Sequence, residues 1–168
     1  MKNKFLTILF PLILLSCNGT ESARSIKLGH GLDTSHPVHK AMVFMAEELS
    51  RNSKGALTME IYPNQQLGSE RQCLELLQIG SLGMTKVSAA VMENFSPEMR
   101  VLGLPYLFRD REHTFKVLDG PIGKELLDGA KKYWLKGLGY YDAGSRSFYT
   151  KKEPVMVPED LTGQKIRV

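Results

Sequence analysis

With 168 residues, 42% hydrophobic and 24% charged, the chain has the make-up of a folded domain, and its composition argues against disorder or low complexity. Its formal charge of +4 is thinly spread, since Lys131-Lys132 and Lys151-Lys152 are isolated pairs. Without a dense basic run or an aromatic-interleaved basic stripe, no nucleic-acid partner is expected.

Lys2 and Lys4 precede the apolar run Phe5 to Leu15, which is too short for a stable bilayer span and has the pattern of an export signal. The run ends Leu14-Leu15-Ser16-Cys17, which resembles the lipobox of bacterial lipoproteins. That resemblance implies a signal peptide over 1–16, a lipidated Cys17 and a periplasmic protein anchored to a membrane by its lipid. The small polar residues that follow, up to 24, form a tether. Cys73 then has no intramolecular partner and is expected as a buried thiol.

Ser25-Ile26-Lys27-Leu28-Gly29 alternates as a first strand and ends at His30-Gly31. Thr34 or Ser35 is expected to cap a helix with Pro37 in its first turn and Val38, Ala41, Met42, Met45 and Leu49 on its inner face, ending near Ser53-Lys54-Gly55. Leu57 to Tyr62 alternates as a second strand, closed by Pro63-Asn64; strand, helix and strand predict a parallel pair. Ser69 and Gln72 have capping-box spacing, opening a helix that turns Cys73, Leu76, Leu77 and Ile79 inward and stops at Gly80. Met84 to Ala89 is predicted as the third strand, and its Lys86 must face solvent, a partner or a cleft. A turn region over 93–100 leads to the apolar run Val101 to Phe108, expected to pack as an extended segment under the helices. Asp110 to Leu118 and Pro121 to Leu135 read as two helices, with Trp134 in the core. A further strand is expected from Gly137 to Asp142. The alternation defines an α/β class. The last residues, Ile166-Arg167-Val168, lie inside a predicted strand, so the chain is expected to be the first part of a longer protein.

No catalytic constellation stands out. There is no Gly-x-Ser-x-Gly elbow and no Gly-rich phosphate loop after a strand. Asp33, His36 and His39 offer i, i+3 ligand spacing without a fourth ligand, and Pro37 at a helix start accounts for that segment; no metal and no cofactor are expected. Glu47-Glu48 with Arg51 suits helix ion pairing. Arg146 and Arg167, however, each sit in a short apolar or aromatic strand-like stretch. A guanidinium held there is either an ordinary surface group or a fork for a carboxylate.

Four segments in order decide between these: Ile61-Tyr62-Pro63-Asn64-Gln65-Gln66-Leu67-Gly68, Gln78-Ile79-Gly80-Ser81-Leu82, Leu104-Pro105-Tyr106-Leu107-Phe108 and Leu161-Thr162-Gly163-Gln164-Lys165-Ile166-Arg167-Val168. They resemble the successive signatures of the substrate-binding proteins of TRAP (tripartite ATP-independent periplasmic) transporters. The resemblance runs from Ser25 to Val168, about the first half of a mature family member. It implies a two-lobed periplasmic binding protein of type II-like fold, truncated after its first lobe. Residues 25–141 form that lobe, and 142–168 carry inter-lobe strands and the start of the second.

The function implied is capture of a small organic acid, best a sugar acid such as a hexuronate, and delivery to the membrane subunits of an ion-gradient-driven permease. Such a protein is a monomer when full length and is not an enzyme. Arg167 maps onto the family arginine that grips the ligand carboxylate, and Arg146 onto a second one in the inter-lobe strand. The segment between them departs from the pattern by an extra residue near Glu153, which weakens the match at Arg146. Further ligand-binding candidates are His30, His36, Glu70, Lys86 and Ser88, whose donors and acceptors suit a polyhydroxylated acid. Glu70 alone is equally suited to be a helix first-turn acid. Two rivals belong to other classes: a ligand-sensing lipoprotein partnering a receptor kinase, and a periplasmic sugar-acid enzyme.

Overall fold

The computed structural model of the protein describes residues 23–142, 144, 150–151 and 153–165. Three strands, β1 (Arg24–Gly29), β2 (Leu57–Tyr62) and β3 (Met84–Thr85), form a parallel sheet in the order β2-β1-β3. β1 and β2 pair along their whole lengths, from Arg24 opposite Leu57 to Gly29 opposite Tyr62. Helix α1 (Pro37–Asn52) connects them.

The helix starts follow local chemistry, with one correction. α1 is capped by His36 rather than Thr34 or Ser35: its ring nitrogen Nδ1 accepts from the Val38 N–H at 3.1 Å. Asp33 instead accepts from the Ser35 N–H at 2.7 Å, closing the turn ahead of the cap. α2 (Glu70–Gln78) opens with the expected capping box between Ser69 and Gln72, which satisfies two otherwise orphaned backbone donors. α3 (Ala89–Met92), α4 (Arg111–Leu118) and α5 (Pro121–Gly129) follow.

Among the described residues two apolar clusters hold the sheet and helices α1 to α3. Leu28, Val38 and Met42 are buried between α1 and the sheet, with Met45, Met59, Ile61 and Met84 packed around them. Leu74, Ala130 and Leu135 form a second core with Leu77, Val87, Val91 and Phe95. Each fully buried Leu, Val or Met among them contributes about 1.5–3 kcal/mol over its exposed state.

Several expectations are corrected. The inner face of α1 includes Val38 and Met42 but not Ala41, which is exposed. In α2, Cys73 and Leu74 are buried, whereas Ile79, at the helix end, is 73% exposed. The third strand stops at Thr85, because β1 itself ends at Gly29 and offers only Leu28 and Gly29 as partners. Residues 97–103 form a 3-10 helix, and Leu104 and Tyr106 beyond it face solvent instead of packing under the helices. The last predicted helix breaks at Gly129 into a short 3-10 turn over Ala130–Tyr133. Trp134 closes it in a left-handed conformation (φ 63°) and is 85% exposed, so it is no core residue. Residues 137–142 make no strand; the segment lies against α5, with the Tyr140 hydroxyl donating to the Gly123 carbonyl at 2.8 Å.

A candidate solute site at the carboxyl edge of the sheet

In an open parallel sheet the strand ends leave a crevice where neighbouring connections diverge, the usual place for a ligand. Here β1 delivers His30 to that edge, and β3 delivers Lys86 and Ser88. Helix α2 begins beside them with Glu70.

Glu70 organises this cluster. Its Oε2 accepts from the Ser88 N–H at 2.9 Å and from the Ser88 Oγ at 2.8 Å. Its Oε1 faces the Lys86 Nζ at 3.4 Å, with both side chains largely covered, 18% and 23% exposed. The three residues come from two connections 16 to 18 positions apart. Of the three readings open to Lys86, the partner is therefore the one realised, and Glu70 does more than complement a helix dipole. The arrangement is charge-balanced and has hydrogen-bonding groups at its edge, chemistry suited to hydroxyls as much as to charge.

His30 is 2% exposed. The Leu32 N–H donates to its Nδ1 at 3.0 Å, and its Nε2 lies 3.0 Å from Nδ1 of His39 on α1. Burial, followed by the proximity of His39, Lys86 and His36, holds its pKa below the ordinary value. The backbone around it is stitched to β2: His30 N–H donates to the Tyr62 carbonyl at 3.0 Å and accepts at its own carbonyl from the Gln65 N–H at 3.1 Å. Asn64 and Gln65 adopt positive φ to make that turn.

Beneath the site, Thr85 Oγ1 donates to the Gly29 carbonyl at 2.7 Å, and Cys73 is buried against the same strand. Burial, reinforced by the Glu70 charge, raises the Cys73 pKa even though a hydrogen bond with Thr85 works the other way. A buried, protonated thiol is unreactive.

The structure thus brings together Glu70, Lys86 and Ser88, with His30 close enough to Lys86 to feel its charge. His36 caps α1 near His30 and makes no hydrogen bond to Glu70, Lys86 or Ser88. Arg146, Arg167 and Cys17 lie outside the described residues. The sequence offers His39 only as a metal ligand, yet it is the partner of His30. The signal for it was present in a histidine one helical turn past the cap, directly after a strand that ends in histidine.

A parallel sheet whose carboxyl edge carries a compact set of polar side chains is an α/β lobe with a crevice suited to a ligand. The chain belongs to the bacterial extracellular solute-binding proteins of family 7, the DctP family, whose profile matches residues 28–168. It is similar to a TRAP periplasmic solute-binding protein of a Bradyrhizobium species in complex with α/β-D-galacturonate, at 43% identity and a TM-score of 0.81, over 86% of this chain and 48% of that one. A second such protein, from Pseudomonas putida F1 with bound D-glucuronate, is 39% identical with a TM-score of 0.79, over 86% and 47%. The C4-dicarboxylate-binding protein DctB of Bacillus subtilis is 35% identical over 89% of this chain and 43% of its own length. The chain therefore spans less than half the length of each of these relatives.

Proposed function

We propose that this chain is the first lobe of the solute-binding component of a TRAP transporter, which captures a hexuronate in the periplasm and passes it to the membrane subunits of the permease. The observation that carries the reading is the Glu70–Lys86–Ser88 network at the carboxyl edge of the sheet. It supplies donors and an acceptor for sugar hydroxyls within one charge-balanced cluster. Arg167 and Arg146 supply the carboxylate clamp, with His30 and His36 flanking. Lipidation at Cys17 holds the protein to the membrane beside its permease. In this organisation residues 25–141 make the first lobe, and residues from 142 onward lead into the second. The two relatives with bound uronates, at 43% and 39% identity, support the choice of solute.

Closure follows from differential contacts. A guanidinium in a partly desolvated cleft is costly unpaired and strongly bonded once a carboxylate arrives, so the solute favours the closed form. The resemblance to a C4-dicarboxylate-binding protein keeps a dicarboxylate as the second reading. Thermal-shift measurements on the full-length protein separate the two, because a solute bound to the folded state raises its melting temperature. D-galacturonate or D-glucuronate is expected to give the largest rise. A larger rise with succinate would replace the uronate reading, and no rise with any of the three would refute both.

A further inference from the structure

The hydrogen bonds around His30 determine where every proton on two imidazoles sits. A backbone N–H can only donate, so the Leu32 N–H at 3.0 Å requires an unprotonated Nδ1 on His30. A neutral ring then carries its proton on Nε2, and that N–H is directed at His39 Nδ1, 3.0 Å away. His39 Nδ1 is therefore an acceptor, and its own proton lies on Nε2. Two consequences follow. The donor of His30 is consumed inside the fold, and its ring is 2% exposed, so His30 has no hydrogen left for a ligand. The relay ends in the Nε2–H of His39, a half-buried side chain in the first turn of α1 at the carboxyl edge of the sheet. That N–H has no protein partner among the described residues.

We infer that His39, rather than His30, is the imidazole that donates to the solute, with His30 acting as the positioning residue that fixes its ring and tautomer. The inference rests on the uronate reading of the site and assigns one hydroxyl or ring oxygen of the sugar acid to His39 Nε2–H.

Two amide substitutions separate the two ends of the His39 ring. His39→Asn places an amide oxygen near Nδ1, keeping the acceptor for His30 but removing the distal donor. His39→Gln places an amide N–H near Nε2 and gives up the acceptor. Calorimetry with D-galacturonate on the full-length protein is expected to show a loss of about tenfold in affinity for His39→Asn, at unchanged melting temperature. The loss for His39→Gln is expected to be smaller, with a lowered melting temperature. Long-range proton–nitrogen spectra of the ligand-free protein are expected to show both histidines protonated at Nε2 alone. Wild-type affinity in His39→Asn, or a proton on Nδ1 of His39, would overturn the inference while leaving the uronate reading intact. Failure of the wild-type protein to bind either D-galacturonate or D-glucuronate would overturn both.

Discussion

Glu70 and Ser88 stand 18 positions apart and are bound twice through one carboxylate oxygen, by the Ser88 amide at 2.9 Å and its hydroxyl at 2.8 Å. Ser88 directly precedes α3, and Glu70 is the first residue of α2. A single side chain thus ties the starts of two helices together at the sheet edge and leaves its second oxygen toward Lys86. The stability of the lobe and the shape of the candidate site depend on the same group.

Removing that group leaves Lys86 covered and without its counter-charge. Glu70→Ala is expected to destabilise the protein by about 2–3 kcal/mol, since bonds to a charged acceptor are lost and partners are left unmade. Ser88→Ala keeps the amide bond and is expected to cost about 1 kcal/mol. Urea denaturation of the two variants measures the difference; equal costs would mean that Ser88 Oγ, and not the carboxylate as a whole, supports the junction.

Gly29 is held by close approach rather than by backbone freedom. A Cβ there would lie 3.2 Å from the Cys73 sulfur and 3.4 Å from Leu67, tighter than ordinary packing. Gly29→Ala is expected to cost about 1–3 kcal/mol by overpacking, and Cys73→Ala to recover part of it in the double variant. A double-mutant cycle measures the coupling, and strict additivity would show that the sulfur is not what the new methyl meets.

Protonation of His30 opposes folding. The ring faces His39 from α1, His36 at the cap of that helix and Lys86 from beyond β3, and its pKa lies below the ordinary 6.5, chiefly through burial. Asp33 precedes α1, and Glu70 is paired with Lys86. The folded state keeps the ring neutral while the unfolded chain takes up a proton, so this contribution is intact above 6.5 and declines as pH falls below it. The urea midpoint is expected to be lower at about pH 5.5 than at about pH 7.5, and His30→Gln to remove part of that slope. An unchanged slope in the variant would assign the pH dependence to other groups.

The parts of this lobe that were readable in the sequence are those governed by near neighbours. β2 follows from alternation over Leu57 to Tyr62, and the α2 start from the Ser69–Gln72 spacing. Both signals are local patterns spanning a few residues, although β2 itself pairs with the distant β1. What was misread depended on distant partners. β3 ends where β1 runs out of backbone to pair with, a limit set 56 positions upstream at Gly29. Trp134 has the composition of a core residue but sits where a 3-10 turn ends in a left-handed conformation, which directs it outward. Tyr140 and Tyr141 are strand formers, yet residues 137–142 pack on α5 without a strand partner. In the site, residue type identified Glu70, Lys86, Ser88 and His30 as polar groups at element ends. That Glu70 binds Ser88, and that the hydrogen of His30 is spent on His39, are tertiary facts with no periodic signature.

The central claim is that this protein holds a sugar acid by its carboxylate. Calorimetric titration of D-galacturonate into the full-length wild type, Arg167→Ala and Arg146→Lys tests it most directly. Wild-type protein is expected to bind, Arg167→Ala to lose about 100-fold in affinity, and Arg146→Lys to retain part of it, because a lysine keeps the charge but not the fork. Unchanged affinity in Arg167→Ala would contradict the carboxylate clamp.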